Sequence, residues 1–444
     1  MSEDGVGDGV SENWRKAGWA GWAGAAIGVI AAGAAAGVAV ERLTVGRGMR
    51  VKARLALDAA GDYGSLRGTE GITRAEDATE LYYEIDELPE ESRKRLLRRK
   101  APAAPTAVFC HGYCLSQDAW HFQRAAFRGV VRSVYWDQRS HGLSARGLAQ
   151  ADGEPVTIEQ LGRDLKTVID AAAPEGPLVL IGHSMGGMTI MALAEQFPEL
   201  VRDRVLGVAL VGTSSGGLGE LTYGLPLPAA GLSAVRRMLP GVLKALGSQV
   251  ELVEKGRRAT ADLFAGTIKR YSFGSRDVDP GVARFAERLI EATPIDVVAE
   301  FYPAFQVHDK SAALQLFADL PVTVIAGDSD MITPAAHSEA IKAELPTAEL
   351  TVLESAGHLM MLEYPETVTG LLADLLARTG AVAAATNVGG HGRSTARSTA
   401  GTAEAAGTAG AAGTPGAADN SGTAGPSGAS GTSGGAGSTA QPGS

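Results

Sequence analysis

The chain has 444 residues, of which 45% are hydrophobic and 20% charged, and its formal net charge is −10. That is enough apolar material for one large core or two ordinary ones. Such acidity argues against holding nucleic acid through the overall field. The two cysteines, Cys110 and Cys114, stand too close together for a disulfide framework. No His/Cys cluster has zinc-ligand spacing, so no metal is expected.

Residues 1–16 are a polar N-terminus. Ala17–Val40 (residues 17–40) then runs without a charge between Arg15–Lys16 and Glu41–Arg42. A helix of that length spans roughly 30 Å of hydrocarbon. Trp14, Trp19 and Trp22 cluster at one end, as interfacial aromatics do. Three readings stay open for this segment: a single-pass membrane anchor, a cleavable signal peptide, or a Gly/Ala helix packed on the domain. We expect the anchor, and so membrane association. The basic residues after the span, from Arg42 to Arg54, place the following domain on the cytoplasmic side; a secretory start would place it outside. Residues 41–80 read as a linker.

From Leu81 to Leu376 short apolar runs alternate with longer amphipathic stretches. The strand-like runs are Leu81–Ile85, Thr106–Cys110, Val131–Trp136, Leu178–Ile181, Val205–Val211, Val322–Ile325 and Leu350–Leu353. The helix-like stretches include Ile158–Ala172, Gly186–Gln196, Ala335–Leu345 and Glu366–Leu376. Apolar strands alternating with helices predict an α/β fold, a mostly parallel central sheet covered by helices, over residues 81–212 and 318–380. Within it, Arg93–Lys100 (RKRLLRRK) reads as a solvated hairpin tip, or as a contact for anionic lipid if the anchor is real. Residues 213–317 show helical patterning without a clear strand and read as an inserted helical cap. Residues 381–444 are mainly Gly, Ala, Thr and Ser and read as a disordered tail.

The chemistry begins at Leu178–Ile181, which runs into Gly182-His183-Ser184-Met185-Gly186-Gly187 and then a helix. This is G-x-S-x-G in a strand–turn–helix setting. So sharp a turn leaves no room for side chains at Gly182 and Gly186. It lifts the Ser184 hydroxyl above the sheet, at the positive end of a helix.

In this respect the chain resembles the α/β-hydrolase superfamily, in its capped, esterase-like serine hydrolase branch, over about Leu81–Leu376. The resemblance implies the order nucleophile, acid, histidine. His358 follows the strand Leu350–Leu353 and resembles the superfamily's Gly-His loop, so it is the expected base. His337 reads as a solvated surface residue, and His391 lies in the tail. Gly327-Asp328-Ser329-Asp330 through Pro334 resembles G-x-x-D-x-x-x-P, which selects Asp330 as the acid; Asp328 is the rival. An oxyanion hole needs two backbone N–H groups. One would come from Met185. The other would come from Tyr113, because His111-Gly112-Tyr113 resembles the superfamily's H-G-x loop. Gly112 would permit the close approach and His111 would brace it. Asp137 to Gly142 resembles a D-x-R-x-H-G turn and reads as structural support.

The expected activity is carboxylesterase- or lipase-like cleavage of a small-molecule ester or lipid-like substrate, through an acyl-enzyme on Ser184, with no cofactor. Thioesterase, lactonase, peroxidase and carbon–carbon-bond hydrolase roles would use the same triad. A non-catalytic envelope scaffold on a hydrolase fold is the remaining alternative.

Overall fold

A computed structural model describes residues 61–92, 104–151, 154–218, 270–275 and 277–381. The apolar segment 17–40, the basic run 93–100 and all of the tail but Ala381 lie outside the described residues. Among the described residues, no helix is long and apolar enough to cross a membrane.

The described elements follow one another in strand–helix alternation. β1 (Thr69–Arg74) and β2 (Glu80–Asp86) form an antiparallel hairpin, with Thr69 opposite Ile85 and Arg74 opposite Glu80. β3 (Thr106–Cys110) leads to α1 (His121–Phe127), and β4 (Arg132–Trp136) leads to α2 (Ile158–Ala172). β5 (Leu178–His183) is followed by α3 (Met185–Gln196) and α4 (Pro198–Arg204). Between β6 (Val205–Val211) and β7 (Val322–Gly327) lie α5 (Pro280–Glu291) and α6 (Ile295–Gln306). α7 (Ala335–Glu344), β8 (Glu349–Leu353) and α8 (Pro365–Arg378) complete the order.

The strands make one sheet in the order β1-β2-β4-β3-β5-β6-β7-β8. β2 pairs antiparallel with β4, and every pairing from β4 to β8 is parallel. The central strands are buried on both faces, which is why they read as continuous apolar runs. Their side chains still alternate between two cores. Val108, Leu180 and Leu210 face one core, with Leu165 and Ile169 of α2 and Ile190 of α3. Phe109, Ile181 and Val211 face the other, with Phe127 of α1 and Leu372 and Leu376 of α8. The side-chain period of two thus builds both helical layers from the same strands.

Local signals set the helix ends. Thr157 caps α2 by accepting a hydrogen bond from the Gln160 amide at 3.1 Å. α2 and α3 then pack closely, since a Cβ at Gly162 would stand 2.7 Å from the Ala192 carbonyl carbon.

The segment between β6 and β7 is described only in part. Its helix α6 packs Val297, Phe301 and Ala304 against Met185 and Met188 of α3. Its two stems are pinned together where Gly216 bridges Asp309 and the Lys310 amide donates to Ser215 O at 2.6 Å. The 3-10 turn Ser311–Phe317, read from sequence as the end of the insertion, places Ala313, Leu314 and Phe317 in the main core.

The stretch 41–80, read as a linker, carries β1 over its last part. β1 is TEGITR, exposed along most of its length, so it lacks the apolar alternation that marks a half-buried strand. Ahead of it, the Tyr63 ring stacks on Phe285 of α5 at 5.6 Å.

Candidate active site

Ser184 sits between β5 and α3 with φ 51° and ψ −118°, left-handed backbone that an L-residue adopts only under constraint. The constraint is visible on each side. A Cβ at Gly182 would come 2.6 Å from the Gly186 carbonyl, and one at Gly186 would come 2.2 Å from Cys110 O. The Ser184 amide donates to Val211 O at 2.9 Å, and its carbonyl accepts from the Thr213 hydroxyl at 2.7 Å. The turn is therefore locked to the ends of β3 and β6. Ser184 itself is 6% exposed.

The loop after β8 delivers His358, and the loop after β7 delivers Asp330. The two meet at 2.8 Å, from His358 Nδ1 to Asp330 Oδ2. Asp330 Oδ1 accepts from the amides of Ile332 at 2.8 Å and Thr333 at 2.9 Å, and Oδ2 accepts from the Thr333 hydroxyl at 2.9 Å. Burial alone would raise the Asp330 pKa. The His358 ring and the two loop amides outweigh it and hold the carboxyl below its ordinary value. An ionised Asp330 accepts a hydrogen bond from the Nδ1–H of a neutral His358, which leaves Nε2 as the basic nitrogen.

Asp328 is exposed and accepts only from its neighbour, the Ser329 hydroxyl, at 2.9 Å. His337 is not the solvated surface residue expected of it. It is half-buried, with Nδ1 2.9 Å from the Ser214 hydroxyl. The reason is that its helix, α7, begins under the stem of the insertion. His391 lies outside the described residues.

The loop after β3 runs against the serine. A Cβ at Gly112 would stand 2.6 Å from His183 Nδ1 and 3.2 Å from Ser184 Cβ. His111 is buried behind it. Its Nε2 accepts from the Gln138 amide at 2.9 Å and its Nδ1 donates to Gly112 O at 2.8 Å. Burial pushes its pKa down to about 3, so it stays neutral and acts as a brace. Tyr113 stacks on Phe301 and donates its hydroxyl proton to Val298 O of α6. The loop is thereby fastened to the insertion. Met185 is the first residue of α3, with its N–H at the helix start.

The D-x-R-x-H-G turn supports this loop. Asp137 accepts from the amides of Gln117 at 2.7 Å and Leu143 at 2.8 Å. Buried Arg139 forks onto Asp164 at 2.6 and 2.7 Å and reaches Asp77 at 2.8 Å. His141 Nε2 accepts from the Cys114 amide at 3.2 Å.

Two residues not singled out from sequence also bear on the site. His183, next to the serine, is buried with its Nε2 2.9 Å from His358 O, so it holds the loop carrying His358. Burial, and then the neighbouring His358, push its pKa down to about 3. Glu363 accepts from three amides: Gly357 at 2.8 Å, Ser275 at 2.7 Å and Gly274 at 3.2 Å. It ties the loop carrying His358 to the segment between β6 and β7. The histidine inside G-x-S-x-G was a usable signal for the first; nothing in the sequence marks the second.

Ser184, His358 and Tyr113 line one cavity of about 370 Å³. Met188, Leu218, Ile290, Phe305, Ile332 and Leu359 supply its apolar walls. Among the described residues, no group of three His, Cys, Asp or Glu is placed to hold a metal ion.

The comparisons agree with this architecture. An uncharacterized protein of Mycobacterium tuberculosis is 26% identical over 276 residues, which cover 60% of this chain and 74% of that protein. A 3-oxoadipate enol-lactonase of Acinetobacter baylyi is 27% identical over 274 residues, covering 59% of this chain and 85% of its own. A thermophilic esterase from Thermogutta terrifontis matches in structure with TM-score 0.51 and 22% identity, over 70% of this chain and 98% of that one. An enol-lactonase from Burkholderia xenovorans matches with TM-score 0.51 and 23% identity, over 69% and 100%. At that identity the two structures speak for the fold. A family model of the alpha/beta hydrolase fold matches residues 105–365, more than half of the chain. With the sheet order and the strained serine turn described above, this match makes the chain a member of the α/β-hydrolase family.

Proposed function

We propose that the protein is a serine hydrolase that cleaves an ester bond through an acyl-enzyme on Ser184. One observation carries the reading: a strained serine shares its cavity with a histidine that is hydrogen-bonded to a buried carboxylate. That constellation has a chemical use which a tight turn alone does not explain.

The steps follow from the groups present. Ser184 Oγ attacks the ester carbonyl carbon while His358 Nε2 takes its proton. Asp330 stays ionised, fixes the ring tautomer and stabilises the imidazolium. The amides of Met185 and Tyr113 hold the oxyanion, and each donor of this kind is worth about 3 kcal/mol. When the tetrahedral species collapses, His358 gives its proton to the departing alcohol. Water then attacks the acyl-enzyme by the same route and frees the acid. The segment between β6 and β7 serves as the cap over this chemistry, with α6 fastened to the oxyanion loop through Tyr113.

A cyclic ester would be opened by the same steps. The enol-lactonase relative at 27% identity favours this second reading. Wild-type protein and its Ser184→Ala variant, assayed on p-nitrophenyl esters of graded acyl length, test the proposal. A rate present only in the wild type is the expected result. Equal rates from both proteins, or none from folded wild type, would overturn it. The apolar run 17–40 supports attachment to a membrane. Retention of the full chain in the pellet after carbonate extraction, and its release on deleting residues 17–40, is the expected outcome.

A further inference from the structure

One residue, Thr333, grips the Asp330 carboxylate on both of its oxygens. Its amide donates to Oδ1 at 2.9 Å and its hydroxyl donates to Oδ2 at 2.9 Å. The same hydroxyl oxygen lies 3.3 Å from His358 Nδ1. A threonine hydroxyl has one proton and two lone pairs. An ionised carboxylate has no proton to give, so the Thr333 proton points at Oδ2 and a lone pair faces the ring. The His358 Nδ1–H is therefore three-centred. It donates mainly to Asp330 Oδ2 at 2.8 Å and secondarily to Thr333 Oγ1. The local sequence holds the hydroxyl in this place. Thr333 is β-branched, which leaves few χ1 choices, and it precedes Pro334, which biases its backbone to extended conformations. Thr333 is also buried.

An aspartate carboxylate turns easily, because the torsion about its last bond is broad. Held on both oxygens by one residue, it cannot turn without breaking a hydrogen bond on each side. His183 holds only the backbone carbonyl of His358, so the orientation of the ring is left to Asp330 and Thr333. When the ring takes up a proton, its charge develops against Oδ2 and a lone pair that are already in place, and groups set in advance need no rearrangement. We propose that the Thr333 hydroxyl is a positioning group for the reaction of Ser184: it fixes Oδ2 against His358 Nδ1, shares the Nδ1 proton, and so keeps Nε2 presented to the serine. The inference rests on the serine hydrolase reading and adds to it a residue that acts through Asp330 and His358. Thr333 also lines the Ser184 cavity, where its methyl serves as wall. Positioning and wall thus fall on different atoms of one side chain, and substitution can separate them.

Two substitutions in the full chain make the test, with a p-nitrophenyl ester as substrate. Thr333→Val keeps the shape and loses the hydroxyl. Thr333→Ser keeps the hydroxyl and loses the methyl. Thr333→Val should lower kcat ~10-fold or more with KM within about twofold, on the scale of a lost hydrogen bond to a charged group. Thr333→Ser should recover kcat to within about threefold, with any loss falling on KM. Labelling of Ser184 by a fluorophosphonate should slow in Thr333→Val by the same factor as kcat. Thr333→Ala against Thr333→Ser makes the same comparison in a smaller side chain, and stands in if Thr333→Val does not fold. A kcat for Thr333→Val within about twofold of wild type would overturn the proposal. So would a Thr333→Ser variant as slow as Thr333→Val or Thr333→Ala, which is the mark of a packing role. If wild type hydrolyses no ester faster than Ser184→Ala, the serine hydrolase reading itself fails. That result differs from a failed positioning role, in which wild type outpaces Ser184→Ala and Thr333→Val keeps pace with wild type.

Discussion

Among the described residues, an aspartate meets a histidine in two buried places, and the two are built differently. After β7 and β8, Asp330 bonds His358 Nδ1 at 2.8 Å, and its pKa is held down although burial pushes it up. After β3 and β4, Asp137 lies 3.9 Å from His111 Nε2, and that nitrogen already accepts from the Gln138 amide. Asp137 spends its oxygens on two backbone amides instead, and burial raises its pKa to about 7. Burial is similar in both places. The partner differs, and the partner decides whether the pair holds a charge for chemistry or a loop for shape.

Substitution at the two aspartates is the sharpest way to break this comparison. Asp330→Asn keeps the shape of the site but offers His358 the wrong tautomer. We expect kcat/KM to fall by ~10³- to 10⁴-fold with little change in melting temperature. Asp137→Asn removes an acceptor from one of two buried amides. It should cost about 1–3 kcal/mol in denaturant unfolding and leave kcat within a few-fold. Comparable catalytic losses in the two variants would erase the distinction.

A larger stability effect is expected next to Asp137. Arg139→Met strips the cation from buried Asp164 and from Asp77. Leaving a buried charge unpaired costs about 3–5 kcal/mol. Urea unfolding of this variant should show a lowered midpoint with an unchanged slope.

The same groups fix the sign of the pH dependence. His111, His141 and His183 have pKa values pushed down by burial to about 3, 4 and 3. A depressed histidine binds its proton in the unfolded chain first, so the folded state loses stability as pH falls below about 6.5. Asp137, raised to about 7, acts the other way between about 4 and 7, because the folded state binds its proton first. Three histidines that refuse a proton outweigh one carboxyl that accepts one. For these four groups the net of about two protons corresponds to a loss on the order of 2–3 kcal/mol per pH unit between about pH 6 and 4.5; the lowered His121, His308 and His337 add to it and the raised Asp164, Glu300 and Glu363 oppose it. Melting temperatures across that window should fall steadily. A flat or rising profile would contradict the buried, neutral histidines.

The smallest expected effect is at Glu363. Glu363→Gln leaves one acceptor oxygen for the three amides that hold the loop carrying His358 to the segment between β6 and β7. A loosened His358 should lower kcat about 3- to 10-fold at unchanged KM, since small misplacements of a catalytic group are felt in the rate. A Glu363→Asp variant should recover part of the loss.

What could be read from the sequence divides along the same physical line. The central strands were legible because both of their faces are buried, and the amphipathic helices because one is. The predicted Ile158–Ala172 coincides with α2, and Gly186–Gln196 falls one residue short of α3. The serine turn was legible because its glycines answer a local steric demand. β1 was not, because an exposed edge strand has no apolar pattern to display. The pairing of Arg139 with Asp77 and Asp164 was hidden for another reason. It joins distant parts of the chain, and a charge has no periodicity that announces its partner. His183 and Glu363 were missed because they act on backbone groups of other loops, which any residue supplies.

The central claim is that Ser184 is a nucleophile activated by the Asp330–His358 pair. Intact-mass and peptide-mapping measurement after exposure to a fluorophosphonate tests it most directly. Wild type should take up one adduct, on the peptide carrying Ser184. Ser184→Ala should take up none, and Asp330→Asn should react slower by orders of magnitude. No adduct on folded wild type, an adduct elsewhere, or equal labelling rates in wild type and Asp330→Asn would contradict the account.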